Sequence, residues 1–491
     1  MHEIERQVPK LRDKVSRSFL AGEWSDLTAD WTLTPQSSFQ LVHQNLTTLR
    51  SRARSEYRTN DYAKRYVGML KNGVVGPDGF ALQCQFQNPN GEPDAVANRA
   101  FEEHFRRWAE DPVAIDVRAR LDLKSFCHLL VQQLATDGEY LVRLVQRGPF
   151  GLQLQLVDPF LLDVTYNDEL RNGNKVRMGI ELSPWGRAVA YHFNIAGDYY
   201  YNTGERERIS AAEVLHGFLD EGVDQYRGIP WLSTPMYRMH MLAGFEEASI
   251  INARAGASKM GFLKHRDPER YTGEGGSAGG PVEEIAPGMV GHLGSEDDWV
   301  PHNPDYPAGE FEQFVRQMLR GVASGLESSY PGLANDLSGV NYNSLRHDAL
   351  ESRDVYMRIQ QWFTAAFLKP LWLEWLDRNL LIGIPIPRAG GGVRMASGAR
   401  VEKYRRVRWQ GRRWQWVDPA KEIAAIEKAI ALKITTRAQA IRDRGADPDE
   451  VFAEVEDEQE RFGAVESGGN AAASSDGEDN DGSDQPGAED G

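Results

Sequence analysis

The stretch EFEQFVRQMLRGVASGLESSYPGLANDLSGVNYNSLRHDAL, residues 310–350, decides how this chain is read. Its first part repeats apolar side chains at helical spacing: Phe311, Phe314, Val315, Met318, Leu319, Val322 and Leu326. Such a stripe predicts an amphipathic helix over residues 310–326. A second helix is predicted over 345–368, with Leu345, Ala349, Tyr356, Ile359, Phe363 and Phe367 placed to pack. Between them lies SSYPGLANDLSGVNYNS, rich in Pro, Gly, Asn and Ser, and residues 330–344 hold no Lys and no Arg. A plain connection between packed helices needs about two to eight residues. A longer, base-free one between strongly patterned helices points to a role of its own. The alternative is an ordinary surface loop.

Working outward toward the N-terminus, residues 231–257 read as a long helix. The Gly-rich GEGGSAGGP at 273–281 reads as a flexible loop, flanked by short strands at 260–264 and 289–293. Before the long helix the period drops to two. Strands are predicted at 139–146 and 152–157 around RGPFG, and at 176–182 and 187–193 around SPWG. Helices are predicted at 61–70, 94–109 and 123–135, with a strand at 80–86. GVVGPDG at 73–79 should stop the first of these helices, and residues 136–138 the third. Residues 1–55 read as an extended arm with some helix near 39–54. Toward the C-terminus, Pro370 should kink the helix before 371–380 continues, and GIPIPRAGGG comes next as a loop. VRWQGRRWQWV at 407–417 reads as a tight hairpin. Asp418 and Pro419 then read as the cap and first turn of a helix over 420–430. A short helix starts near Thr435 or Thr436. The fold class is α+β.

The 491 residues suggest about three domains. An apolar fraction of 41% is enough for a large core, so the chain reads as soluble and globular. The net charge of −16 is unevenly placed. Sixteen of the 72 acids but one of the 56 bases fall within residues 445–491, so 56 acids and 55 bases precede them. The acidity belongs to the tail, and the body is close to neutral. Residues after 463 are too poor in apolar groups to fold. Cys84 and Cys127 are too few for a disulfide framework and lack zinc spacing, which fits a reducing cytosol. The first residues have no apolar core like that of a secretory signal, and no run of about eighteen apolar residues predicts a membrane span.

Enzyme signatures are absent: there is no Gly-x-Ser-x-Gly, P-loop, HExxH or dinucleotide fingerprint. His128, His216, His240, His265, His292, His302 and His347 lie at no metal-ligand spacing. The expectation is therefore no catalytic residue, no metal and no cofactor. One run mixes bases and aromatics. Residues 394–416 hold eight Arg or Lys with Tyr404, Trp409, Trp414 and Trp416 among them. Arg405, Arg406, Trp409, Arg412 and Arg413 could form a face for nucleic acid, through phosphate contact and stacking. Alternatively the Trp side chains pack inward and the guanidinium groups pair with acids of a neighbouring subunit.

Five segments in order resemble the lambda-type family of phage portal proteins. SRARSEYRTNDYAKRYVGMLKNGVVGPDG at 51–79 is similar to its N-terminal helix and turn. VQQLATDGEYLVRLV at 131–145 and LQLVDPFLLD at 154–163 resemble its β-rich wing. EVLHGFLDEGVDQYRGIPWLSTPM at 213–236 resembles the entry to its long helix. PGLANDLSGVNYNSLRHDALESRD at 331–354 resembles the segment between its inner helices. WVDPAKEIAAIEKAIALKITTRAQAIRDRGADPDEVFAEVEDE at 416–458 resembles its C-terminal block. The likeness covers roughly residues 40–463.

The resemblance implies a ring, usually a dodecamer, at one capsid vertex of a virion assembled in the host cytoplasm. It divides the chain into an arm (1–55), a wing (56–230), a stem helix (231–261) and a clip (262–300). A second stem helix (301–329), a tunnel loop (330–344), a wing helix and hairpin (345–417), a crown (418–463) and a disordered acidic tail (464–491) complete it. Asn335, Asp336, Asn341, Tyr342 and Asn343 would then line the DNA channel with short or neutral contacts. Double-stranded DNA, the terminase large subunit, capsid or scaffold protein and a head-tail connector are the implied partners, with no membrane. The alternative is a DNA-binding head-tail adaptor or minor capsid protein without a channel.

Overall fold

A computed structural model describes residues 35–195, 205–257, 261–265, 297–301, 310–388, 391–414 and 419–462. The first 34 residues of the expected arm, and the acidic tail after 463, lie outside them. The rest of the arm is helical and begins α1 (Ser38–Thr59), which α2 (Asp61–Leu70) continues. Ser37 and Gln40 close a capping box at the start of α1. Asn60 stands between the two helices, and its Oδ1 accepts from the backbone N–H of Tyr62 (3.0 Å) and Ala63 (3.1 Å).

The helix does not stop at Gly73, as the sequence predicts. It widens into a π-turn, Lys71–Val75, and ends at Gly76 with φ +74°. The Gln360 amide donates to the carbonyls of Gly73 (3.3 Å) and Val74 (3.0 Å), which holds the wide turn from outside. Gly73 is there for closeness rather than as a breaker, since a Cβ on it would stand 2.5 Å from the Tyr356 ring.

Next come β1 (Ala81–Cys84), α3 (Ala95–Glu110), α4 (Pro112–Ile115) and α5 (Leu123–Asp137). Asp94, Asp111 and Asp122 cap the three helices. Phe101, Phe105 and Trp108 are buried on one face of α3, as their spacing predicts. α5 ends on Gly138, whose φ of +81° suits glycine. A Cβ at Gly138 would also fall inside the backbone of Ile229. Gly138→Ala should therefore lose about 2–4 kcal/mol, combining left-handed strain with overpacking. The midpoint of urea unfolding checks this, and an unchanged midpoint would count against so close a contact.

The β-rich block holds β2 (Glu139–Val145), β3 (Gln153–Val157), β4 (Asp168–Glu169), β5 (Lys175–Arg177), β6 (Ile180–Leu182), β7 (Ala188–Asn194), β8 (Arg206–Ser210) and β9 (Val214–Phe218). One antiparallel sheet has the order β3-β2-β9, the other β4-β5-β6-β7-β8. The strand expected over 176–182 is in fact two, because the chain turns at Met178 (φ +47°) and Gly179 (φ +82°). Met178 is buried against Val42 and Leu46 of α1, a long-range contact that fixes the turn.

The long helix α6 (Ser233–Ala257) leads into β10 (Gly261–His265). β10 pairs with β11 (Asp297–Pro301), and the strand expected at 289–293 lies outside the described residues. The rest of the chain forms α7 (Glu310–Gly325), α8 (Tyr330–Ala334), α9 (Tyr342–Phe363), α10 (Lys369–Ile382), β12 (Pro385–Pro387), β13 (Val393–Met395), α11 (Val401–Tyr404), β14 (Val407–Gln410), α12 (Pro419–Ala431), α13 (Arg437–Asp443) and α14 (Pro448–Phe462). A π-turn, Thr364–Leu368, joins α9 to α10. Pro370 lacks an N–H and its ring would crowd the carbonyl one turn back. The wider turn, closed by the Lys369 N–H on the Thr364 carbonyl, lets the helix run on.

Two further expectations are corrected. The loop expected at 383–392 contains a strand, β12, which pairs with β13 immediately after it. Of the hairpin expected at 407–417, residues 415–417 lie outside the described residues, and the described strand β14 pairs with β1, Val407 opposite Cys84 and Gln410 opposite Ala81. The open edge of β1 takes the ladder, and Trp409 packs edge-on to Phe105 at 5.6 Å.

Most of the buried side chains join one core that runs from α2, α3 and α5 to α9 and α10. Trp108, Trp372 and Trp375 are fully buried in it, and the indoles of Trp108 and Trp372 donate to the carbonyls of Leu152 (2.9 Å) and Tyr404 (3.2 Å). A smaller core lies under the five-stranded sheet.

A buried ionic centre ties these parts together. Glu139, at the start of β2, is fully buried with Arg50 of α1 and Arg227. Both guanidinium groups reach its carboxylate at 2.7 Å, and His216 stands 3.1 Å away. Arg227 also donates to the carbonyls of Met178 (2.8 Å), Leu162 (3.2 Å) and Pro159 (3.2 Å). Arg54 extends the network to Asp137 (2.6 Å) and Asp158 (2.7 Å). Burial pushes the Glu139 carboxyl up, but Arg227, Arg50 and His216 outweigh it and hold the group well below the usual carboxylate range.

Candidate functional site

α6 and α7 pack on one another through Phe245, whose ring centroid lies 5.5 Å from Phe311 and 4.9 Å from Phe314. Leu319, Val322 and Ala323 complete the buried face of α7. α6 has no single apolar face. Met236, Met239 and Leu242 are buried, while Tyr237 (75% exposed), Met241 (52%), Ile250 (58%) and Ile251 (58%) face solvent in the single chain. Apolar residues around a whole helix need a second partner.

The segment after α7 is more structured than its composition suggests. Ser329 caps α8 through its hydroxyl, which accepts from the Gly332 N–H at 3.0 Å, and it also donates to Asp348. Leu333 is buried, and a Cβ on Gly332 would stand 2.9 Å from the end of Met69. Only residues 335–341 are free of regular structure before α9 begins at Tyr342. They form a compact turn held at both ends. Asn335 adopts the left-handed conformation that ends α8, with φ +53°. Asn341 caps α9, accepting from the Ser344 N–H at 2.8 Å.

Asp336 is the centre of this turn. It accepts from the Ser338 N–H (2.9 Å), the Ser338 hydroxyl (2.5 Å) and the Tyr330 hydroxyl (2.7 Å). These bonds hold its carboxyl down at about 2, with the Ser338 hydroxyl contributing most. Arg316 of α7 stands 3.4 Å from Asp336 and donates to the Ser338 hydroxyl at 3.0 Å. Arg320 lies over the Tyr330 ring at 5.5 Å, and Arg65 donates to the Gly332 carbonyl at 3.0 Å. The segment carries no base of its own, but three arginines reach it from α7 and α2. Its tip is left for Leu337, 63% exposed, and for Gly339 with φ +71° and open space around it. Asn343 is exposed on the first turn of α9, and the side chain of Tyr342 lies outside the described residues.

Sequence reading picks out Asn335, Asp336, Asn341, Tyr342 and Asn343 but misses Arg316, twenty residues earlier in the chain. The Asp-x-Ser pattern at 336–338, which favours a side-chain-closed turn, is the one local signal. Nothing local marks Arg316 as the partner.

The basic face is spread along β14 and its ends. Arg405 pairs with Glu402 at 2.8 Å, Arg406 donates to Gln87, and Arg412 donates to the Asn72 carbonyl of the π-turn. Arg413 is half-buried. Trp409 and Trp414 pack within the chain, the latter stacked 6.0 Å from Tyr356. Arg405, Arg406 and Arg412 are thus tied to neighbouring groups. Trp416 lies outside the described residues. Among the described residues no three His, Cys, Asp or Glu come together as metal ligands, and no helix is long and apolar enough to cross a membrane.

This α+β chain matches a known class over most of its length. The chain belongs to the lambda family of phage portal proteins, whose family profile matches residues 25–360. It is 30% identical to the probable portal protein of Halomonas phage phiHAP-1, over 91% of this chain and 87% of that one. It is 24% identical to portal protein B of Escherichia phage lambda, covering 88% of this chain and 87% of that one. Among solved structures, the neck of a native gene transfer agent particle computed with C12 symmetry superposes with a TM-score of 0.46 at 13% identity, covering 82% of this chain and 94% of that chain. An HK97 family phage portal protein from Corynebacterium diphtheriae superposes with a TM-score of 0.34 at 9% identity, covering 71% and 96%.

Proposed function

We propose that copies of this chain form the ring-shaped channel at one capsid vertex, through which double-stranded DNA is packaged, retained and ejected. Family membership supports a structural role rather than catalysis. The observation that carries the ring is the set of apolar side chains that α6 leaves exposed. A closed ring needs heterologous interfaces, one patch to the left and another to the right. Tyr237, Met241 and Ile251 on one side of the helix, and Ile250 on another, are apolar surfaces that a single chain leaves in water. In this reading α6 and α7 are the stem, the region between them the clip, and residues 330–344 the tunnel loop. Residues 418–463 are the crown. The terminase large subunit, capsid or scaffold protein and a head-tail connector dock on the ring.

The expected result by negative-stain microscopy is a ring with a central hole, a dodecamer in most particles. Tyr237→Glu with Ile250→Glu should shift the protein toward monomers while its circular dichroism is unchanged. Monodisperse wild-type monomers over a wide concentration range would overturn the reading. The adaptor alternative makes a different prediction. Neutralising Arg405, Arg406, Arg412 and Arg413 would then abolish a DNA affinity that falls steeply with salt.

A further inference from the structure

A cleft of about 1270 Å³ runs between α3, β1 and the start of α14. Its floor is apolar, with Phe80, Leu82, Val96 and Ala100, and Ala453 faces them from α14. Val96 is 49% exposed, so the floor is open to water in the described part of the chain. The rim is acidic. Eight acids line the cleft against three bases, among them Glu110 on α3 and Glu454 on α14.

The chain's own N-terminal sequence has the complementary pattern. In RQVPKLRDKVSRSFL, residues 6–20, the apolar residues Val8, Leu11, Val15 and Phe19 recur at spacings of three, four and four. That is the spacing of an apolar stripe on a helix. The same fifteen residues hold five bases and one acid. On a helical projection Arg12 and Lys14 flank the stripe on either side, where they would meet acidic walls. A basic amphipathic segment laid into an apolar groove is a recurring recognition mode. Residues 21–37 provide a linker that can span up to roughly 55–60 Å at about 3.3–3.6 Å per residue.

We propose that residues 6–20 dock in the cleft of the same chain, apolar stripe down, and clasp α14 to α3. The proposal does not depend on the channel reading. The test uses the full-length chain carrying Val15→Cys and Val96→Cys under mild oxidation. Native Cys84 and Cys127 are buried, and burial pushes both thiols up, so they stay unreactive. The expected product is an intramolecular loop, seen as a faster band on a non-reducing gel. Arg12→Glu with Lys14→Glu should cut its yield severalfold, and adding Glu110→Lys with Glu454→Lys should restore it. Glu110 and Glu454 are exposed, and circular dichroism checks the fold of each variant. The absence of the loop, a product formed only between subunits, or a yield indifferent to the charge swap would each overturn the proposal.

Discussion

A chain carrying Glu139→Gln is expected to lose about 3–5 kcal/mol of folding stability, the usual cost of removing one partner from a buried ion pair. The carboxylate touches both Arg50 and Arg227 at 2.7 Å, and all three side chains are fully buried. Without its charge two guanidinium groups face each other in a dry site. Glutamine keeps the shape, so the loss reports charge rather than a cavity. A second substitution sharpens the test. Arg227→Met alone strips donors from the carbonyls of Met178, Leu162 and Pro159. Combined with Glu139→Gln, it should cost less than the sum of the two, because the repulsion is then relieved. Urea unfolding monitored by tryptophan fluorescence measures all three. A single-variant loss below about 1 kcal/mol would mean that water reaches the site.

The same group sets a pH dependence with a definite sign. The folded carboxyl of Glu139 titrates well below its unfolded value, held there against burial by Arg227, Arg50 and His216. Its contribution is thus present above the unfolded value, near about 4.3, and is lost as pH falls through the lower folded one. The wild type should keep this contribution through mildly acidic pH and lose it only in strong acid. Glu139→Gln should flatten that part of the stability curve.

How far the sequence carries depends on whether a signal is local. Helical stripes such as Phe101, Phe105 and Trp108 locate α3, and Leu319 with Val322 locate α7, because burial follows a period that any window shows. Local punctuation is less reliable. Gly73 reads as a stop, yet the helix passes it as a π-turn because Gln360, 287 residues later, holds the carbonyl. The 407–417 run reads as a hairpin, yet β14 finds β1, whose Gln83 lies 327 residues before Gln410. Met178 turns a strand because it is buried on α1. Each miss is a tertiary contact overriding a correct local preference. The ionic centre of Arg50, Glu139 and Arg227 is not legible at all, since three isolated charges in three segments carry no pattern until the fold brings them together.

Removing Leu337, Ser338 and Gly339 is expected to leave ring assembly intact while most particles fail to complete or retain a packaged genome. A larger deletion, residues 332–343, would confuse two effects. Leu333 is buried, Gly332 lies against Met69, and Asn341 caps α9, so all three belong to the fold. The tip at 337–339 is different: Leu337 is 63% exposed, and nothing lies within 4 Å of a Cβ on Gly339. If this tip meets DNA in the channel, its action depends on release from α7, where Arg316 grips Asp336 and Ser338. Arg316 is paired with Glu312 and Asp336 in the latched turn, so a passing polyanion would meet a paired charge there rather than a cation that would hold it by phosphate contact. Arg316→Gln should loosen the tip without removing it and change packaging or retention less than the deletion does. The two readouts are ring images and the nuclease-protected genome per particle. Collapse of the ring with the three-residue deletion would assign the tip to assembly. Normal packaging and retention would remove it from the DNA path.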